Sequence, residues 1–304
     1  MIGLLLLCLP WVDALNNGLA RTPPMGWISW AKFYCEIDCI RHPLSCISER
    51  LYMQMADAMI RGGYAAAGYR FVNIDDCWME KSRDSHGRLV ADRQRFPSGI
   101  RHLSRYMHRR GLKLGIYEDF GSYTCGGYPG SLGHIKTDAE SFAGWEVDML
   151  KFDGCNVNVS FNSYGYPEMA RQLNTTGRPI LYSIEWPFYS FWINQNRAGT
   201  LEEMRQIAPW GNMWRSFTDV AKSWASIASI IDFHVQHQYV FIPVNGPGQW
   251  NDPDMIVVGN PELNVDQSEV QIGIWSIWSA PLFMSNDLRW IDPKSPAIFT
   301  QFSS

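Results

Sequence analysis

The stretch VDMLKFDGCN, residues 147–156, decides the fold. It is mostly apolar as far as Leu150 and then ends on Lys151 and Asp153. Because side chains alternate along a β-strand, these two charged groups point to the same side. A buried strand that ends in this way predicts that something polar lies beyond its tip.

The same arrangement recurs along the chain, with short apolar runs separated by helix-length segments. Segments 48–63 and 137–145, for example, carry apolar residues at helical spacing. Eight strands alternating with helices are typical of a (β/α)8 TIM barrel, whereas no GxGxxG or GxxxxGK[ST] turn supports a nucleotide-binding open sheet. The predicted strands are Met25–Trp30, Tyr69–Asp76, Leu112–Asp119, Val147–Gly154, Pro179–Trp186, Met213–Asp219, Gln249–Ile256 and Pro281–Asp287.

Composition narrows the class of protein. Hydrophobic residues make up 46% of the 304 residues, the formal net charge is -4, and no basic tract is present. A nucleic-acid partner is therefore not expected. After the N-terminal apolar run, no stretch reaches the ~18 to 20 apolar residues of a membrane span.

The N-terminal sequence MIGLLLLCLPWVDA predicts a signal peptide over residues 1–14, followed by one catalytic barrel over 15–304. Secretion agrees with the sequons at Asn158 and Asn174, which we predict to be glycosylated. It also agrees with an even set of cysteines, for which about 15 disulfide pairings are possible. These are Cys35, Cys39, Cys46, Cys77, Cys125 and Cys155.

Metal binding is the rival interpretation of the cysteines. No CxxC pair or Cys/His cluster has zinc spacing, and His234 and His237 lack a third ligand. We therefore predict disulfides, exposed histidines and no metal site.

The active site of a barrel lies at the C-terminal ends of its strands. The predicted strands end on carboxylates from nearly every direction, and like charges ~4 Å apart would cost on the order of 4 kcal/mol. Hydroxyl groups of a sugar between them would relieve this repulsion. Metal-dependent barrels usually add histidines, which these ends lack, whereas Trp30, Tyr117 and Trp186 offer aromatic faces to a sugar.

Some of these carboxylates could serve the fold rather than bind a ligand. Asp and Asn at strand ends often accept hydrogen bonds from the N–H groups of the next helix. We favour this interpretation for Asp119, Asp252 and Asp287.

Glycoside hydrolysis needs two carboxyl groups that flank the scissile bond. Asp153 on the fourth strand and Asp219 on the sixth fit, because alternate strands contribute side chains to the same layer of a barrel. Lys151 is expected to help keep Asp153 ionised as the nucleophile. Asp219 must carry a proton as the acid, which predicts a raised pKa.

Several motifs resemble a known family when taken in order. They are PPMGWISW (23–30), NIDDCW (73–78), RFPSGI (95–100), GLKLGIYED (111–119), KFDGC (151–155), WRSFTD (214–219), GPGQWNDPDM (246–255) and APLFMSNDLR (280–289). From Leu15 to the end, the chain resembles the eukaryotic α-galactosidase and α-N-acetylgalactosaminidase family, which is melibiase-like and belongs to glycoside hydrolase clan D.

This resemblance implies a retaining exo-glycosidase that removes terminal α-linked galactose from glycolipids, glycoproteins and oligosaccharides without a cofactor. It implies that Asp153 is the nucleophile and Asp219 the acid/base. The implied disulfides are Cys35–Cys77, Cys39–Cys46 and Cys125–Cys155. The positions implied to bind the sugar are Trp30, Asp75, Asp76, Tyr117, Lys151, Glu185, Arg215 and Asp254.

By the same resemblance, the loop SIEWPFY, residues 183–189, lies beside the sugar's 2-position and selects the substituent there. Similar α-N-acetylgalactosaminidases have small residues where this chain has Glu185 and Phe188, so the resemblance favours a 2-hydroxyl over an acetamide. The alternatives are an α-N-acetylgalactosaminidase, or an inactive sugar-binding barrel.

Two features depart from the family pattern. The cysteines that relatives often carry at Ile184 and near Ala208 are both replaced. The family's C-terminal antiparallel β domain, which contributes to dimer formation in relatives, does not follow the barrel in these 304 residues. The resemblance itself implies a homodimer. Lysosomal or secreted localisation is expected from the signal peptide and the resemblance.

Overall fold

The computed structural model describes residues 17–291 and 295–300, so the expected signal peptide, 1–14, lies outside the described residues. Eight strands form one sheet, and each predicted apolar run supplies one of them. They are β1 Met25–Ile28, β2 Phe71–Asn73, β3 Lys113–Asp119, β4 Met149–Asp153, β5 Leu181–Ile184, β6 Met213–Arg215, β7 Trp250–Asp252 and β8 Leu282–Met284.

All neighbouring strands are parallel, and the sheet order follows the chain from β1 to β7, with β8 beside β1. The sheet closes through a parallel bridge between Ile256, just after β7, and Met284 of β8. The Ile256 N–H donates to the Phe283 carbonyl at 2.8 Å. This is the predicted (β/α)8 barrel.

Helices follow the strands around the outside. At the start of α2, Glu49–Arg61, the Ser48 hydroxyl accepts from the Leu51 N–H, and the face with Leu51, Met55 and Met59 is buried. The helices are α1 Trp30–Phe33, α2 Glu49–Arg61, α3 Ile100–His108, α4 Ile135–Gly144, α5 Asn162–Thr175, α6 Leu201–Ile207, α7 Trp224–Gln236, α8 Gln238–Phe241, α9 Val265–Ile277 and α10 Ser295–Thr300.

The strands are shorter than predicted, and several functional residues follow them in loops. After β2, the Asp76 N–H donates to the Asp75 carboxylate at 2.8 Å, and the Cys77 N–H donates to the Asp76 carboxylate at 2.6 Å. An N–H group that donates to a neighbouring side chain no longer donates to the adjacent strand. These local hydrogen bonds therefore replace the inter-strand hydrogen bonds, and β2 ends before Asp75.

The six cysteines form the pairs that the resemblance implies, Cys35–Cys77, Cys39–Cys46 and Cys125–Cys155. The prediction of exposed histidines is wrong, because His234 is buried on α7 and contacts Trp278, and His237 is half-buried. None of the helices in the described part of the chain has the length and apolar character to cross a membrane.

Candidate active site

Asp153 ends β4 at the C-terminal mouth of the barrel and is buried. Its two oxygens accept from the Tyr117 hydroxyl at 2.9 Å and the Tyr189 hydroxyl at 2.6 Å. The Gly154 N–H donates to it at 2.8 Å. These three donors hold the carboxylate in one orientation. Tyr189 lies in the SIEWPFY loop, but no local sequence pattern distinguishes it from a core tyrosine.

Asp219 lies in the loop after β6. One carboxylate oxygen accepts from the Arg215 guanidinium at 2.9 Å and the other from the Trp30 indole N–H at 3.1 Å. The side chain is 48% exposed, so this carboxyl group is open to an incoming molecule. Asp153 and Asp219 therefore differ in exposure and in partners.

The expectation of a raised pKa for Asp219 is wrong. Partial burial raises the pKa of this carboxyl, but the Arg215 and Lys151 charges and the hydrogen bond from Arg215 outweigh it, so the pKa lies below its ordinary value. A ligand that covered the exposed half would strengthen the burial effect and raise the pKa.

Two buried cations balance the carboxylates. The Lys151 ammonium donates to Asp75 at 2.9 Å and lies 3.7 Å from Glu185, so its direct partner is Asp75 and not Asp153. Burial lowers the Lys151 pKa, but Asp75, Glu185 and further carboxylates outweigh it and raise the pKa well above the ordinary value. The Arg215 guanidinium lies 2.9 Å from Asp254. Both cations remain charged.

Glu185 directly follows β5 and is 2% exposed. Its Oε1 atom has no hydrogen-bond partner among the described residues and lies 3.7 Å from Lys151 and 3.8 Å from Arg215. Burial, with the nearby Asp153 charge, raises its pKa well above the ordinary value. Phe188 follows at the start of a π-helical segment, Phe188–Ile193, and is half-buried.

Asp75 and Asp76 are both buried at the end of β2, and burial raises the pKa of each. Asp76 accepts from the Thr124 hydroxyl at 2.9 Å and the Gly126 N–H at 2.7 Å. A Cβ at Gly126 would lie 2.9 Å from Asp76, so only glycine permits this approach. The loop after β3 therefore orients Asp76.

The three other aspartates have structural partners, but these lie in loops among the described residues, so the expectation that they cap the next helix is wrong. Asp119 accepts from the Gly121 and Cys155 N–H groups at 2.6 and 2.9 Å. Asp252 accepts from the Asp254 N–H at 2.9 Å, and Asp287 pairs with Arg289 at 2.7 Å. Trp186, expected to offer a face to a sugar, stacks on Tyr166 at 5.9 Å, so that face is occupied.

One group of possible metal ligands lies beside Asp153. Ligand atoms of Asp119, Cys125, Asp153 and Cys155 lie within 4.8 Å of one another. The two sulfur atoms are bonded to each other, which leaves no thiolate for a metal. A cavity of about 530 Å³ at the opposite end of the barrel, beside Met25 and Lys113, lies on the face that stabilises barrels rather than the catalytic one.

Comparisons with known proteins agree with this geometry. The chain is 52% identical to alpha-galactosidase A of Homo sapiens over 95% of its own length and 66% of that protein's. It is 50% identical to alpha-N-acetylgalactosaminidase of Gallus gallus, over 93% of this chain and 69% of the relative. The chain thus spans about two thirds of the length of these curated relatives.

Among solved structures, α-galactosidase of Saccharomyces cerevisiae with raffinose superimposes with a TM-score of 0.80 at 30% identity, covering 95% of this chain and 64% of that one. The family model Melibiase_2, described as Alpha galactosidase A, matches residues 22–303. The chain therefore belongs to the Melibiase_2, or alpha galactosidase A, family of glycoside hydrolases.

Proposed function

We propose that this protein is a retaining exo-glycosidase that hydrolyses terminal α-linked galactose from glycolipids, glycoproteins and oligosaccharides. The observation that carries the proposal is the difference between its two central carboxylates. Asp153 is buried and held by two tyrosine hydroxyls, whereas Asp219 is half-exposed at the mouth. Retaining hydrolysis needs this division between a fixed nucleophile and an accessible acid.

In the first step, Asp153 attacks the anomeric carbon and forms a glycosyl-enzyme ester. Asp219, protonated once the substrate covers it, donates its proton to the departing glycosidic oxygen. In the second step, Asp219 takes a proton from water, which attacks the anomeric carbon and releases galactose and the Asp153 carboxylate. Microscopic reversibility gives Asp219 both roles.

The preference for galactose rests on Glu185 and Phe188. The Glu185 Oε1 atom, which has ion-pair partners but no hydrogen-bond partner among the described residues, is a buried acceptor that a 2-hydroxyl would satisfy. An acetamide would have to displace this carboxylate and crowd Phe188, and a poorly paired buried group costs on the order of 1 to 3 kcal/mol. The chain is almost as similar in sequence to an alpha-N-acetylgalactosaminidase as to an alpha-galactosidase. Hydrolysis of α-linked N-acetylgalactosamine is therefore the second candidate activity.

Purified protein assayed at acidic pH with an aryl α-galactoside and an aryl α-N-acetylgalactosaminide tests the proposal. We expect turnover of the galactoside to dominate. Turnover of the acetamido substrate alone would contradict the specificity argument, and no turnover by a folded preparation would favour a sugar-binding barrel.

The roles of the two aspartates are tested separately. A 2-deoxy-2-fluoro-α-galactosyl fluoride should leave a covalent sugar on the peptide that contains Asp153, detectable by mass spectrometry. Asp219→Ala should retain activity on substrates with good leaving groups, because these need no proton. A label on Asp219 instead would exchange the assigned roles.

We also propose a lysosomal or secreted location after removal of residues 1–14. Three bonded cysteine pairs suit an oxidising compartment, and Asn158 and Asn174 are exposed for glycosylation. A homodimer, expected from the resemblance, is proposed as well. Analytical sedimentation tests the homodimer. Glycan mapping of the protein expressed with its leader tests whether it enters the secretory pathway.

A further inference from the structure

The surface next to Asp219 bears on which leaving groups the protein accepts, and the inference rests on the proposed function. If Asp219 protonates the glycosidic oxygen, the leaving group departs on the side of that carboxyl. The Trp30 indole, whose N–H donates to Asp219 at 3.1 Å, flanks it there. The next residues along this side are therefore the ones a leaving group meets.

Tyr34 extends the surface from Trp30 towards solvent. Its ring packs edge-on against Trp30 with the centroids 5.7 Å apart, and the residue is 44% exposed. The Lys222 ammonium lies 5.5 Å from the Tyr34 ring centroid and 3.8 Å from the Glu262 carboxylate. Together these side chains place an aromatic face beside one cationic donor and one anionic acceptor.

The backbone holds Tyr34 in place at an energetic cost. Tyr34 caps α1 with φ 46°, a conformation that non-glycine residues rarely adopt. Its N–H donates to the Trp30 carbonyl at 2.8 Å, and the next residue, Cys35, is bonded to Cys77 beside Asp76. Strain of this kind costs on the order of 1 to 3 kcal/mol and is concentrated at ligand-binding sites. Here it fixes a half-exposed aromatic ring near the mouth of the barrel.

We propose that Tyr34, Lys222 and Glu262 form a subsite for the leaving group, and that its ligand is a second, uncharged sugar ring. The C–H face of a sugar matches the Tyr34 ring, since both surfaces are apolar. Its hydroxyls can accept from Lys222 and donate to Glu262. A lipid chain would cover this ion pair without offering it a hydrogen bond, whereas the hydroxyls of a polyol can bond to both members.

The test compares two substrates with the same galactose and different leaving groups. Melibiose carries a second hexose, whereas α-galactosyl fluoride releases a single atom that cannot contact Tyr34. In Tyr34→Ala we expect the ratio of kcat/KM for melibiose to that for the fluoride to fall about three- to tenfold, the size of an aromatic contact. Tyr34→Phe should restore the ratio, and Lys222→Ala should lower it.

Tyr239→Ala is the matched control, because Tyr239 is a 68% exposed tyrosine on α8. It should leave the ratio unchanged. If Tyr34→Ala lowers kcat/KM equally for both substrates, Tyr34 merely supports Trp30, and the subsite is refuted. An unchanged ratio refutes it as well.

Calorimetry separates this proposal from the proposed function. In an Asp153→Asn background, which cannot form the glycosyl-enzyme, melibiose should bind more tightly than galactose, and adding Tyr34→Ala should remove the difference. If that result is obtained while the protein with Asp153 intact does not turn over α-galactosyl fluoride, the subsite stands and the catalytic proposal fails. If melibiose binds no more tightly than galactose, the subsite fails whatever the activity.

Discussion

At the residue scale, the Tyr189 hydroxyl is one of two that donate to Asp153. Tyr189→Phe removes this donor and keeps the ring. We expect kcat to fall about tenfold, because the carboxylate loses part of the orientation that places it for attack. The rate of covalent labelling by the 2-fluoro sugar should fall in parallel, which stopped-flow or timed mass spectrometry would measure.

Tyr164→Phe controls for the loss of a tyrosine hydroxyl as such, because Tyr164 is 58% exposed on α5. It should leave the labelling rate unchanged. A Tyr189→Phe protein that labels at the wild-type rate would show that Tyr117 and Gly154 suffice to orient Asp153.

The pair Glu185 and Phe188 supports a second prediction at this scale. Glu185→Ser combined with Phe188→Ala opens space beside the 2-position and removes the acceptor for a 2-hydroxyl. We expect kcat/KM for the aryl α-galactoside to fall and that for the aryl α-N-acetylgalactosaminide to rise, each by roughly five- to a hundredfold. The single variants are the controls, and a double variant that keeps the galactoside preference would place the selectivity elsewhere.

At the scale of elements, an aromatic stack connects the Asp219 loop to α7. The Phe217 ring stacks on Phe233 of α7 with the centroids 4.2 Å apart, and Trp192 packs on Phe217 at 4.5 Å. The Phe217 carbonyl also accepts from Arg215 at 3.2 Å, and Arg215 donates to Asp219. The stack therefore fixes the loop that carries the proposed acid.

Phe217→Ala should loosen this loop and displace Asp219. We expect kcat/KM to fall about tenfold for a galactoside with a poor leaving group and much less for a dinitrophenyl galactoside, because only the first depends on proton donation. Phe241→Ala is the control, since Phe241 contacts Phe233 at 5.9 Å but lies outside the loop. Equal losses on both substrates would mean that the stack supports the fold and not the acid.

The sequence predicted the elements better than their ends. Apolar runs placed all eight strands, because burial inside the barrel requires continuous apolar residues. The runs continue past the last ladder hydrogen bond, so strand ends at Trp30 and Asp219 were predicted too late. Where a strand stops depends on local acceptors, such as the Asp75 carboxylate for the Asp76 N–H.

At the scale of the whole molecule, the position of a residue at a strand end identified most candidates for the site. The predicted catalytic and sugar-binding residues lie at one end of the barrel because parallel strands end together. The Tyr189 contact and the pairing of Lys151 with Asp75 were not predictable, because each joins β4 to a segment that is distant in sequence. The lowered pKa of Asp219 depends equally on where the Arg215 side chain points.

Buried carboxylates connect the fold to its stability at different pH values. Burial is the largest cause of a raised pKa in each of eight carboxyl groups, and for Asp252 the pKa reaches about 7. A group of this kind keeps its proton in the folded state after the unfolded chain has released it. Stability therefore falls as pH rises from the unfolded pKa to the folded pKa. The eight are Asp75, Asp76, Glu118, Asp119, Asp138, Glu185, Asp252 and Asp254.

Fewer groups act in the opposite direction in this range. Burial lowers the pKa of His234 to about 4, so its contribution to stability is lost as pH falls from 6.5. Hydrogen bonds from arginines lower the pKa of Glu146 and Glu203 to about 2, so their contributions are lost only below the ordinary value of 4.5. Between neutral and mildly acidic pH, the buried carboxylates therefore dominate.

We expect the free energy of unfolding, measured by urea titration, to be larger near pH ~5 than near pH ~7. Asp252→Asn removes one of the responsible groups while its side-chain oxygen can still accept from the Asp254 N–H. The variant should show a pH dependence smaller by about 2 kcal/mol over this interval, whereas Asp266→Asn, an exposed position on α9, should match the wild type. A free energy of unfolding that rises towards neutral pH would contradict the prediction, because it would mean that the buried carboxylates ionise without cost to the fold.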